Sequence, residues 1–599
     1  MRSLSRLLPA IVVTGAAPLA AQAVRYEVAV TAPALQLYHV TAEFPATGKD
    51  TLYLSLPAWS PGAYEIQNYA RYVRGFGATS AAGEPLFWDR FDKDTWRVVT
   101  GKSARVTVQF DYLADTIDLS LARLTGDFGQ FLGTNLFLFE EGQPRRPAEV
   151  RFRLPAGWQV TTALPSGGNG VYRAADYDEL ADAMTFVGRF NLDSLQVDGK
   201  WIRIALWPAT DYTPAVALNL RNAIGKMAQM QNRLMRGAPY DVYTVFFNVI
   251  HEPIEFGGGL EHSSAQYDIM PAQAFASPDG ALGDFMYPLL SHEFFHLWNV
   301  KRIRPAEMWP YDYHAEQFTP LLWWSEGVTD YYADLTNIRA GLWSPEQFIQ
   351  NVNDNIQQVE GAPEPWSAED GSVATWINEV YVNSSQLYYP KGSLLGMLLD
   401  ISIRDATDNA HSLDDVMRAL VTRYYRQGKG FSTSDLLAEL RAAGMPDLDT
   451  FYQHYINGRD SLPYDAVFAK AGISVARNTV SVPFLGIATG VASGGGVALD
   501  VQSVTPGSSA DAAGVLPGDV LVSVGDITVA PDQDWAATFR SRYRGRAGQP
   551  LTITVRRGGQ VLTLNSLLRE RTSARVTISR AAGLTGKQAR IWQALATGL

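Results

Sequence analysis

His292-Glu293-Phe294-Phe295-His296 places two imidazoles at i and i+4, and on an α-helix those positions share one face, so both rings can reach a single ion. Zinc suits neutral imidazole nitrogens at about 2.0–2.1 Å, and a tetrahedral position left to water makes such a site catalytic. Glu293 sits beside the pair without belonging to it, where it can take a proton from the water that the metal activates. The plainer alternative is a pair of core histidines.

Thirty residues beyond His296 comes Trp323-Trp324-Ser325-Glu326-Gly327-Val328-Thr329-Asp330-Tyr331-Tyr332, which reads as a second helix. Thr319 suits the N-cap, Pro320 the first helical position and Gly341 a left-handed C-cap, so the pattern predicts a helix from about Pro320 to Ala340. Glu326 falls among apolar neighbours inside it. A carboxylate buried there needs a partner, and a metal cation supplies one, which makes Glu326 the third candidate ligand. Asp330 lies one turn further on the same face, placed to accept the second N–H of a metal-bound histidine. A solvated acidic edge is the alternative for both.

These residues resemble the gluzincin metallopeptidases, in which two histidines of an HExxH motif and a glutamate of the next helix hold zinc. "SHEFFHLWNVKRIRP" (Ser291–Pro305) with "LLWWSEGVTDYY" resembles more narrowly the glycyl-aminopeptidase family with an attached PDZ domain, distant relatives of aminopeptidase N. The resemblance implies one Zn2+ per chain. Gly257-Gly258-Gly259-Leu260-Glu261-His262, after the apolar strand candidate Val242–Ile250, is similar to the family segment whose glutamate binds the substrate's free α-amine. By that likeness Glu261 holds the amine while Gly258 and Gly259 offer an extended edge to the peptide backbone; a glycine-rich turn with an exposed acid is the alternative, and His262 is a substrate contact or a support, not a ligand. Tyr388-Tyr389-Pro390-Lys391-Gly392 matches the family's Tyr-x-Lys-Gly segment, which makes Tyr389 the donor to the oxyanion, with Tyr388 as the neighbouring candidate.

At 599 residues, 46% hydrophobic and 19% charged, the chain has the balance of a multidomain globular protein. It has no cysteine, which removes disulfides, thiolate catalysis and cysteine–zinc sites and leaves metal binding to histidine and carboxylate. Arg2, Arg6, an apolar run over Leu7–Ala20 and Ala21-Gln22-Ala23 read as a signal peptide cleaved near Ala23; a retained N-terminal anchor is the alternative. Loss of its two arginines takes the formal charge from −11 to −13, a poor balance for nucleic-acid binding. Leader and absent cysteines together predict a periplasmic or secreted protein with no transmembrane segment in the mature chain.

The expected architecture is multidomain α+β. A signal peptide (1–23) precedes an N-terminal β domain (24–195), read from short alternating runs at Tyr26–Val30, Leu52–Leu56 and Val106–Phe110. Its "LPAWSPGAYEI", Leu56–Ile66, resembles the family's domain that packs beside the active site. A thermolysin-like zinc peptidase domain (196–345) follows, with a helix near Ala215–Leu234, and then a helical domain (346–475). Phe484-Leu485-Gly486-Ile487 with "VTPGSSADAAGVLPGDVLVSVGD", Val504–Asp526, resembles a PDZ domain (480–570), whose Leu485, Gly486 and Ile487 would receive peptide C-termini, or which only packs on the enzyme. A C-terminal tail (571–599) holds a short helix candidate near Lys587–Ala596. The function this implies is zinc-dependent removal of N-terminal residues, small ones such as Gly or Ala, from peptides. A PDZ-guided endopeptidase and a catalytically idle peptide-binding protein are the alternatives.

Overall fold

The computed structural model describes residues 23–598 except 252–256, 278, 363–364, 378–384, 492–498 and 531–534. The signal-peptide reading falls almost wholly on residues outside this set.

The N-terminal region is built of β-sheets. The expected strands occur as Val24–Ala29, Thr51–Ser55 and Arg105–Leu113, each end within three residues of the sequence reading. Leu37–Pro45 shows why they form: alternate residues are buried, so one face packs inward while the other meets solvent. It pairs antiparallel with both Val24–Ala29 and Arg105–Leu113, setting Val40 opposite Val28 and Phe110.

The next unit is a five-stranded mixed sheet of β1 (Asn191–Val197), β2 (Lys200–Trp207), β3 (Val242–Ile250), β4 (Gly258–Glu261) and β5 (Ala265–Pro271), in the order β1-β2-β3-β5-β4. β3 runs parallel to both neighbours and is buried nearly throughout, which is why its sequence is a continuous apolar run. The β2–β3 crossover is α1 (Pro214–Leu234), started by Thr213, whose side chain accepts the Val216 N–H, and by Pro214 in the first turn. β4 lies at the sheet edge, antiparallel to β5, with no strand partner on its other side among the described residues.

α2 (Met286–Phe295) carries the first motif. The second helix departs from expectation. No single α-helix runs from Pro320; Trp323–Gly327 forms a π-helical turn, followed by α3 (Val328–Arg339), and Gly341 takes a left-handed φ of 65°. The turn packs on α5 (Tyr388–Ala406), which α4 (Pro345–Glu360) precedes in the chain. A Cβ on Gly327 would stand 2.5 Å from the Cα of Gly392, so the two backbones touch where the wide turn occurs.

The C-terminal stretch is not a tail. β6 (Ile473–Pro483) pairs along its whole length with β8 (Glu570–Arg580), and the PDZ region, whose edge strand is β7 (Ile487–Val491), is inserted between them. α6 (Gly586–Thr597) then returns to the catalytic core, burying Ile591, Trp592 and Leu595, and the Leu595 carbonyl accepts Nε of Arg339 on α3. No helix among the described residues is long and apolar enough to cross a membrane.

Candidate active site

His292 lies in the last turn of α2 and His296 is its C-cap residue, so their Nε2 atoms meet at 2.8 Å. Nδ1 of His292 donates to Oδ1 of Asp330 at 2.7 Å, and Nδ1 of His296 donates to the backbone carbonyl of Asn299. With those tautomers assigned, two bare Nε2 lone pairs converge. Oε2 of Glu326, delivered by the π-helical turn, lies 3.4 Å from one and 3.2 Å from the other. A tetrahedron with arms of 2.0–2.1 Å has edges of about 3.3 Å. Three acceptors facing one another at that spacing fit a zinc ion.

The electrostatics agree. Burial disfavours charge on both imidazoles, yet the Asp330 and Glu326 carboxylates beside His292, and Glu326 and Glu261 beside His296, raise their affinity for positive charge. Burial also works against ionised Glu326, but the two imidazoles prevail and hold it well below the usual carboxylate range.

Glu293 points into the same space, with Oε2 buried and without a hydrogen-bond partner. Burial pushes its carboxyl up to about 7, against the pull of the two imidazoles. β4 packs directly on it: a Cβ on Gly259 would fall 2.4 Å from its Cδ, so only glycine leaves the side chain in place. Gly258 is the next position outward on the same free edge.

Glu261 ends β4 and is 3% exposed, with Oε1 unpartnered. Carboxylate oxygens of Glu261 and Glu293 and a ring nitrogen of His296 lie within 4.8 Å of one another. Lys301 approaches Glu261 Oε1 only to 3.8 Å, since its Nζ donates to Asp182 at 3.0 Å and to the Pro61 carbonyl at 3.1 Å. His262 is buried with its Nδ1 3.1 Å from Oδ1 of Asp182.

Tyr389, in the first turn of α5, lines the cleft with His292 and Glu293, its ring centroid 6.1 Å from that of His292. Tyr388 is buried behind it at 4.6 Å between rings. Burial, then the nearby Glu326 carboxylate, raises Tyr389 well above a normal phenol, so it stays a donor.

The likeness of Leu56–Ile66 to a domain that packs beside the active site holds, but the sequence alone does not single out the residues of that segment that reach the site. Tyr64 donates to Oε1 of Glu326 at 2.9 Å, and Gly62, at φ 109°, abuts Glu261 so closely that a Cβ would lie 2.6 Å from Oε2. Both belong to "LPAWSPGAYEI", where a Pro-Gly pair ahead of an aromatic was the available signal. Asn299 and Lys301 lie within Ser291–Pro305, where the sequence alone does not distinguish them from their neighbours.

Leu485, Gly486 and Ile487 lie apart from this centre, against a separate PDZ core. Gly486 is left-handed at φ 74°, and a Cβ there would meet that of Ser508 at 2.2 Å, so the loop requires glycine.

The chain matches the family model of the M61 peptidase N-terminal domain over residues 25–189, that of M61 glycyl aminopeptidase over 286–395, and that of a PDZ domain over 483–568. Among solved structures, an aminopeptidase N family protein from Idiomarina loihiensis has the same fold, with a TM-score of 0.83 at 23% identity over 96% of this chain and 100% of that one. The M1 zinc metallopeptidase from Deinococcus radiodurans matches at 15% identity over 74% and 95% of the two chains, with a TM-score of 0.47. No curated protein matches. The matches and the fold lead to one assignment: the chain is a metallopeptidase built of an M61 N-terminal domain, an M61 glycyl-aminopeptidase domain and a PDZ domain.

Proposed function

We propose that this metallopeptidase is an aminopeptidase that releases single N-terminal residues, small ones such as glycine or alanine, from peptides. One observation carries the reading: Glu261 lies within 4.8 Å of both the base Glu293 and the metal-ligating His296. In an N-terminal residue the α-nitrogen and the scissile carbonyl carbon are about 2.5 Å apart. A carboxylate this close to the reacting centre can hold the amine of the first residue only. Gly62 packs directly against that carboxylate and holds it in place. The preference for small residues rests on the likeness to the glycyl aminopeptidases.

His292, His296 and Glu326 would hold the zinc. When bound, the ion supplies a Lewis acid that polarises the scissile carbonyl and makes water a nucleophile near neutral pH. Glu293 takes the proton of the attacking water and returns it to the departing amine. Tyr389 donates to the oxygen on which negative charge develops, and Asp330 keeps the His292 ring in its ligating tautomer. A periplasmic or secreted location is part of the proposal, supported by the leader-like sequence alone; fractionation of expressing cells tests it.

The test is a cycle. kcat/KM is measured for one glycyl peptide, free and N-acetylated, with the wild type and with Glu261→Ala. Removing the charge that pairs with a desolvated ammonium costs about 2–5 kcal/mol, so the mutation should damage only the free-amine reaction, and the wild type should barely touch the acetylated peptide. Efficient cleavage of the blocked peptide would sink the assignment.

A further inference from the structure

The cleft that opens from the metal ligands has a volume of about 580 Å³, and its lining changes character along its length. At the reacting end stand His292, Glu293, Asp330 and Tyr389. Away from it the described walls are Gly257, Gly259, Pro271, Phe285, Pro288 and Leu289. β4 gives the direction. It runs outward to inward from Gly258 to Glu261, with Gly257 just beyond its outer end, so a peptide anchored by its amine at Glu261 and laid antiparallel on the free edge sends its later residues outward. Strands rise about 3.3 Å per residue. With the amine reaching Glu261 from a first residue beside Leu260, the first leaving residue lies beside Gly259 and the next beside Gly258. The glycines leave room for the backbone, and the side chains of the leaving peptide meet Pro271 at the end of β5 and the first turn of α2.

Two observations define what that outer half accepts. Phe285 is a large apolar side chain left 47% exposed at the N-cap of α2, in contact with no polar cap and standing at the cleft. Among the described lining residues the carboxylates are Glu293 and Asp330, His292 stands at the reacting end, and no lysine or arginine lines the outer half to receive a carboxylate. We infer that the residue following the scissile bond is selected to be apolar and that acidic residues there are rejected, with Phe285, Pro288 and Leu289 as the specificity-determining wall. This rests on the aminopeptidase reading, since it is Glu261 that fixes the peptide's direction.

The experiment measures glycine release from Gly-X-Ala-Ala-Ala with X as Leu, Phe, Ala, Lys or Asp, and from the same peptides N-acetylated, by wild type, Phe285→Ala and Phe285→Arg. In the wild type kcat/KM for X as Leu should exceed that for Asp by about tenfold or more, the low end of what an apolar subsite discriminates. Phe285→Ala should compress the Leu-to-Ala ratio, and Phe285→Arg should raise Asp relative to Leu. Any general disturbance of α2 affects every peptide alike and leaves these ratios unmoved. Equal rates for Leu and Asp in the wild type, or ratios unchanged in both variants while free glycine is still released, overturn the subsite and leave the aminopeptidase reading standing. Cleavage of the acetylated series overturns both.

Discussion

The Tyr64 hydroxyl donates a 2.9 Å hydrogen bond to Oε1 of Glu326, the carboxylate whose other oxygen faces both histidines. A residue of the N-terminal β region thereby orients the carboxylate proposed as the third metal ligand, carried by the peptidase unit. Tyr64 does so from a left-handed backbone at φ 48°, a conformation that a bulky side chain adopts only when its surroundings impose it.

Tyr64→Phe should therefore weaken metal retention while leaving all three ligands in place. Losing a hydrogen bond that orients a ligand typically costs 10- to 100-fold in metal affinity. Competition with a chelator, followed by elemental analysis, reads this directly, and affinity equal to wild type would mean that Glu326 is positioned without the phenol.

The ligands and the base separate cleanly. Glu326→Ala should lose zinc, whereas Glu293→Gln should bind it normally and lose turnover, because the change removes the proton acceptor and keeps the side chain's shape. The loss should appear in kcat, and full activity in Glu293→Gln would end the mechanism.

Much of this was written locally. β3 announced itself because a strand buried on both faces is a continuous apolar run, and α1 because Thr213 and Pro214 mark its start. HExxH is local by nature. The departures are long-range. The π-helical turn at Trp323–Gly327 goes with contact between Gly327 and Gly392, and nothing in the apolar periodicity of 320–340 distinguishes it from an ordinary helix. Tyr64 stands 262 residues from its partner, so its role could not be read before the domains were brought together.

Tyr389→Phe removes a donor that acts only as charge develops. A fall of roughly 10²–10³ in kcat with unchanged metal content is expected, as for loss of one preorganised donor. A fully active Tyr389→Phe beside an inactive Tyr388→Phe would transfer the role to the buried neighbour.

His314 ties the peptidase unit to the N-terminal region, with Nδ1 3.2 Å from Asp94 and Nε2 3.0 Å from Glu141. Hydrogen bonds to those two carboxylates raise it to about 10, against burial. Its folded value lies above the unfolded value of about 6.5, so its contribution is fully present below about pH 6.5, declines above it and is gone beyond about pH 10. The ring is partly exposed, which limits the effect to about 1 kcal/mol or less. The gap in Tm between wild type and His314→Gln should be a few degrees at pH 6 and vanish near pH 10.5. A constant gap across that range would show that the ring acts by packing.

The C-terminal ribbon decides how the PDZ region can be removed. Pro483 and Glu570 are opposite one another at the end of the β6–β8 pair, so a two-residue turn joining them deletes the PDZ region and preserves α6. Truncation after Gly472 instead strips β8 and α6, exposing the sites of Val576, Ile578, Ile591, Trp592 and Leu595. At roughly 1.5–3 kcal/mol for each of these buried side chains, an upper estimate of the loss is about 8–15 kcal/mol, comparable with the whole stability of a domain. The truncated chain should be insoluble or melt far below wild type. The internal deletion should keep a Tm within a few degrees of wild type and cleave short glycyl peptides at near wild-type rates, because every metal ligand and Glu293 lie upstream of the insertion. A well-folded internal deletion that has lost short-peptide cleavage would show that the PDZ region supports the catalytic site itself rather than the capture of longer chains.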